Sequence, residues 1–135
     1  MSANAADETI ARGRLAKAEE FAEAAALFFD DASNEAEHGD AYVTLSVHAG
    51  IAASDVLCIR ALGRYSTGDA HSEAVGLLRT VDPGAAAALG CLLRLKHKAG
   101  YLHEPVSAAD IRQARQSHIR LLERARESGS RARSE

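Results

Sequence analysis

The chain has no tryptophan and only three phenylalanines and three tyrosines among its 135 residues, so aromatic rings cannot fill most of its interior. Sheet faces are normally packed with aromatic and β-branched residues, and 29 alanines point instead to helices that approach closely through small side chains. An all-α fold is expected. There are two cysteines, Cys58 and Cys91, and both fall in apolar stretches where a free thiol behaves as a small hydrophobe. A reduced, cytoplasmic protein is the expectation. No CxxC or paired His/Cys spacing exists, so no metal site is expected, and no signature calls for a cofactor. The opening MSANAADETIARGR lacks the apolar centre of a signal peptide.

The net charge of −3 is unevenly spread. Residues 1–40 carry −7, residues 41–90 carry −1 and residues 91–135 carry +5. The two ends are complementary, either because the basic third attracts phosphates or because it packs beside an acidic first helix.

A helical period runs from Thr9 to about His38, with Leu15, Ala18, Ala22, Ala25, Phe29, Ala32 and Ala36 on one stripe. Gly39 is placed just past its end. Residues 41–65 are apolar nearly all round, as in the central helix of a bundle; His48, Asp55 and Arg60 interrupt the run and argue against a membrane span. A short helix, HSEAVGLLRTV, follows turn chemistry at 66–73, and DPG at 82–84 starts a long helix from Gly84 to Tyr101. Ser107 with Asp110 forms an S-x-x-D cap for a last helix, Ala108 to Arg126. Short connections make neighbouring long helices antiparallel. The expected organisation is a flexible segment 1–8, one antiparallel bundle of four long helices plus one short helix over 9–126, and a disordered tail 127–135.

Chemistry concentrates in RLKHKAGYLHEP, residues 94–105, where Arg94, Lys96, His97, Lys98, Tyr101 and His103 crowd the end of an apolar run. A second group is His48 and Asp55, seven residues apart on one stripe of the most apolar helix. Two readings stand for these: cross-bundle hydrogen bonds to Lys96, Tyr101 or His71 that fix register, or one polar pocket lined by His48, Asp55, His71, Lys96 and Tyr101. Ser46 and Ser54 are nearby hydroxyls. Arg64 and His71 bracket a turn, and Arg112 and His118 stand about 120° out of phase on one helix.

The helix order, together with HAGIAASDVLCIRALGRY, GDAHSEAVGLL and LLRLKHKAGYLHEPVSAADIRQAR, resembles the small stand-alone HEPN proteins of bacteria over residues 9–126. That resemblance implies a HEPN-like dimeric bundle associated with RNA or nucleotides. In many members it implies a metal-independent ribonuclease of toxin–antitoxin or defence systems, with a nucleotidyltransferase as a protein partner. Nuclease members place Arg, four to six residues, then His near the end of the helix corresponding to 84–101. Here that place reads Lys96, four residues, Tyr101. Lysine is a point charge rather than a bidentate phosphate clamp, and a phenol that ionises near pH 10 is a poor base at neutrality. The expectation is therefore a non-catalytic module that forms a homodimer and binds RNA, a nucleotide or a protein. Its binding residues would be Arg64, His71, Arg94, Lys96, His97, Lys98 and Tyr101. The alternatives are a ribonuclease whose variant site uses Lys96, Tyr101, His48 or Asp55, and a structural oligomerising adaptor.

Overall fold

The structure, a computed structural model, describes residues 3–67 and 71–134. Its elements in chain order are β1 (Ala3–Ala5), α1 (Glu8–Ala26), β2 (Phe29–Asp30), β3 (Glu35–Ala36), α2 (Gly39–Leu62), β4 (Arg64–Ser66), α3 (His71–Arg79), α4 (Pro83–Tyr101) and α5 (Ala108–Ser134). Helices dominate, as the composition requires. Two short antiparallel ladders, β1 with β4 and β2 with β3, were not expected.

Helix α2 carries buried residues in every direction around its axis, from Tyr42 and Val43 to Cys58 and Ile59. It must therefore be covered on all sides. Helix α1 runs antiparallel to it, as the Phe21–His48 ring contact and the Arg14–Asp55 and Glu8–Arg60 ion pairs mark successive rungs. Ala11, Ala18 and Ala25, seven residues apart on one stripe of α1, are completely buried, so only methyl groups separate the two backbones there. Helix α5 lies parallel to α2: Gly39 faces Ile111, Gly50 faces Leu121, and Arg60 reaches the Ala125 carbonyl. Helix α4 is antiparallel to α5, with ion pairs at both ends, Asp82–Arg124 and Lys98–Asp110.

Three boundaries differ from expectation. The first helix stops at Ala26 rather than near His38, because polar residues after Phe29 offer the backbone a better local arrangement. Asp30 accepts the Ala32 N–H at 2.9 Å, its carbonyl accepts the Asn34 N–H at 2.8 Å, and Asn34 adopts φ 59°, a left-handed value that asparagine tolerates. Gly39 consequently begins α2 instead of ending α1, and a β-carbon there would lie 2.9 Å from Ile111 Cδ1 and 3.0 Å from Val106 Cγ2, so that those side chains would have to shift. At the other end of α2, Gly63 supplies the left-handed cap (φ 70°), and residues 64–66 leave the helix to pair with Ala3–Ala5. Helix α5 continues to Ser134 instead of fraying after Arg126, since Arg60 donates to the Ala125 carbonyl at 3.0 Å and the Ser128 hydroxyl at 3.2 Å. The Ser107–Asp110 cap is realised in both directions: Asp110 N–H donates to Ser107 Oγ (3.0 Å) and Ser107 N–H to Asp110 Oδ2 (2.9 Å).

Gly50 marks where α2, α4 and α5 meet, for a β-carbon there would overlap Leu92 Cδ1 and lie 3.1 Å from Leu121 Cδ1. Gly50→Val is expected to cost about 1–3 kcal/mol through overpacking. Gly13, also helical but with open space around it, should gain about 0.5–1 kcal/mol on replacement by alanine. Thermal melts of the two variants beside the parent protein check both signs.

Candidate functional site

Asp82 starts α4 by accepting the Ala85 N–H at 3.1 Å, with Pro83 preset in the first turn. At 100° per residue, Arg94, His97, Lys98 and Tyr101 then fall within an arc of about 100° on its outer side. Arg94, His97 and Tyr101 are exposed, Tyr101 to 75%. The His97 and Tyr101 rings stack, with centroids 5.7 Å apart and planes 24° from parallel. Lys98 is spent differently: its ammonium donates to Asp110 Oδ2 at 2.9 Å, which raises the lysine's pKa and lowers that of the carboxyl. Next to Arg94 lies an open groove of about 490 Å³ between α3 and α4, floored by Val75, Gly90 and Leu93 and flanked by Arg79 and Arg94.

Lys96 does not join this face. It is half-buried on the side of α4 that carries Leu92 and Ala99, about 140° around the helix from Tyr101. The two side chains therefore leave α4 in different directions.

His48 and Asp55 do share the α1-facing stripe of α2, yet they form no joint pocket. His48 is exposed and packs against the Phe21 ring at 5.3 Å, which corrects its expected burial. Asp55 is 8% exposed and meets Arg14 in a two-pronged ion pair, Nε and one terminal nitrogen each 2.9 Å from Oδ2. The expected partners Lys96, Tyr101 and His71 are not used, because α1, not α4, covers this side of α2. Of His71 only the backbone lies within the described residues. Arg64 sits in β4, beyond the far end of the 24-residue α2 and thus about 35 Å along its axis from the start of that helix. The two serine hydroxyls bond their own helix, Ser46 to the Tyr42 carbonyl and Ser54 to that of Ile51.

A further polar concentration lies between α1, the β2–β3 hairpin and α5, in a cleft of about 280 Å³. Tyr42 and His118 stand edge to face at its back, with ring centroids 6.1 Å apart, and Arg115 lies 4.7 Å over the Phe29 ring. Arg115 and His118 are three residues apart, hence on one helical face, whereas Arg112 is exposed. The cleft was invisible without the hairpin that supplies Phe29 and Asp31. Cys58 is buried and its thiol pKa is pushed up to about 12, first by burial and then by Asp55, so it is no nucleophile. Among the described residues, no group of three or more His, Cys, Asp or Glu comes together as a metal site. Among the described residues one helix, α2, is long and apolar enough to cross a membrane, and 78% of that window is covered by the rest of the bundle.

Comparison with protein-family models, curated proteins and solved structures finds no significant match.

Burial raises the Asp55 carboxyl to a pKa of about 6, outweighing the attraction and hydrogen bonds of Arg14; the ordinary value is 3.8. Between those values the native protein holds a proton that the unfolded chain has released, so this group makes stability fall as pH rises from about 4 to 6. The contribution is on the order of 1–3 kcal/mol. Urea melts at pH 4.5 and 7 should show the decline in the parent protein and lose that part of it in Asp55→Asn; the same pH dependence in both would contradict the assignment.

Proposed function

We propose that this chain is a non-catalytic, HEPN-type helical module that binds single-stranded RNA along the outer face of α3 and α4. The observation that carries the reading is the exposed His97–Tyr101 stack lying in line with Arg94. Bases stack on such rings irrespective of sequence, and arginines beside them hold phosphates. The groove floored by Val75 and Leu93 continues the same face, and Arg79 and Arg94 flank it as phosphate partners. Binding is favoured over cleavage by the residue types at the motif position, a lysine that is only a point charge and a phenol that is a poor base at neutrality. Lys96 faces away from Tyr101, and Asp55 is committed to Arg14. In this reading the module acts in the cytoplasm as a homodimer.

Fluorescence anisotropy with a labelled single-stranded oligoribonucleotide in chelator tests the proposal. Affinity should fall steeply with salt, the RNA should stay intact, and Arg94→Ala and Tyr101→Ala should each weaken binding about tenfold. Unchanged affinity in the double variant would refute the site. Cleavage of the RNA by the parent protein, lost in a Lys96→Ala/Tyr101→Ala variant, would replace binding by ribonuclease action.

A further inference from the structure

His118 is 4% exposed yet lines the cleft between α1, the hairpin and α5. Its Nδ1 lies 2.9 Å from the Ala114 carbonyl oxygen and therefore carries the ring proton, which leaves Nε2 as an acceptor. Burial, with the Arg115 charge adding to it, lowers the imidazole pKa and keeps the ring neutral. Among the described residues nothing donates to Nε2. Nor is Nε2 among the sealed, unpartnered side-chain atoms of the described residues, and His118 lines the cleft. The acceptor therefore opens into the cleft.

The walls around it define a ligand. Ala22, Ala26, Ile119 and Leu122 supply apolar surface, while the Phe29 and Tyr42 rings, 5.4 Å apart, form an aromatic wall. Toward the mouth stands Arg115, held over Phe29 and tied only loosely to Asp31, at 3.4 Å with the aspartate side chain 87% exposed. Arg126 and Glu123 complete the rim, and Arg126 is already paired with Glu19 at 3.0 Å. The cation at the mouth is thus the less exposed member of the pair, and its acidic partner the more exposed one. An anionic group entering the cleft can displace Asp31, which regains water, and take the guanidinium.

We infer that this cleft binds a small aromatic carboxylate that bears a hydroxyl at its far end. The ring lies against Phe29 and Tyr42, the hydroxyl donates to His118 Nε2, and the carboxylate meets Arg115. The volume of about 280 Å³, just below the usual range for drug-sized ligands, suits one substituted ring. The inference is independent of RNA binding, which uses the outer face of α3 and α4.

Calorimetry with 4-hydroxybenzoate, benzoate and phenol as probes tests it. 4-Hydroxybenzoate should bind one per chain, and each single-group probe should bind about tenfold more weakly for want of one hydrogen-bonded group. Arg115→Gln, a change at a half-buried rim position, should cost at least tenfold, and the His118 ring nitrogen resonances of the parent protein should move on saturation. Absence of saturable binding, indifference to Arg115→Gln or an unmoved His118 signal would each overturn the inference. The last reading needs no variant at His118, whose replacement could unfold the bundle.

Discussion

Everything in this structure follows from a helix that has no polar side. Because α2 is apolar around its whole circumference, it is stable only when enclosed, and α1, α4 and α5 are arranged as its cover. Close enclosure requires small residues on the covering helices and on α2 itself, which explains the alanine content. The two charged groups in the C-terminal half of α2 each meet a counterion from α1: Arg14 for Asp55 and Glu8 for Arg60. Arg60 does most, since its side chain is 8% exposed and bonds α1 through Glu8 and α5 through Ala125 and Ser128 at once. A desolvated guanidinium with its donors shared among three helices fixes their relative positions more strictly than apolar contact alone.

Much of the architecture was legible because several helices announce their ends chemically. Asp82-Pro83-Gly84 and Ser107 to Asp110 are start signals that act through local hydrogen bonds, and the structure uses them as such. The first helix was misread for an instructive reason. Phe29 and Ala36 fit the helical stripe of α1 by spacing, yet they face the core as opposite members of a hairpin. Periodicity reports which residues turn inward, not the path the chain takes between them. What decided the path were the Asp30 and Asn34 backbone arrangements, whose small free energies are swamped in a pattern of apolar positions.

The sites were less legible than the fold. His48 and Asp55 were correctly placed on one stripe, but the covering helix could not be read from spacing, and with α1 there the partner of Asp55 is Arg14, 41 residues away in sequence. Lys96 and Tyr101 were grouped by the motif spacing of the resembled family, and they leave α4 about 140° apart. The pair Arg115 and His118 carried a usable signal, an i, i+3 spacing on the inward side of the last helix. It gained meaning only when the hairpin brought Phe29 and Asp31 over it.

The Arg60 clasp has a consequence for how this bundle is connected to anything else. Glu8 and Ser128 meet at the same guanidinium, and Ala3–Ala5 pairs with the strand just after α2, so both chain ends leave from one pole of the bundle. The His97–Tyr101 stack and the hairpin lie toward the other pole, where α2 begins. A cargo or anchor fused at either end is thus held at arm's length from both the His97–Tyr101 stack and the hairpin, and two such fusions would emerge side by side like paired leashes.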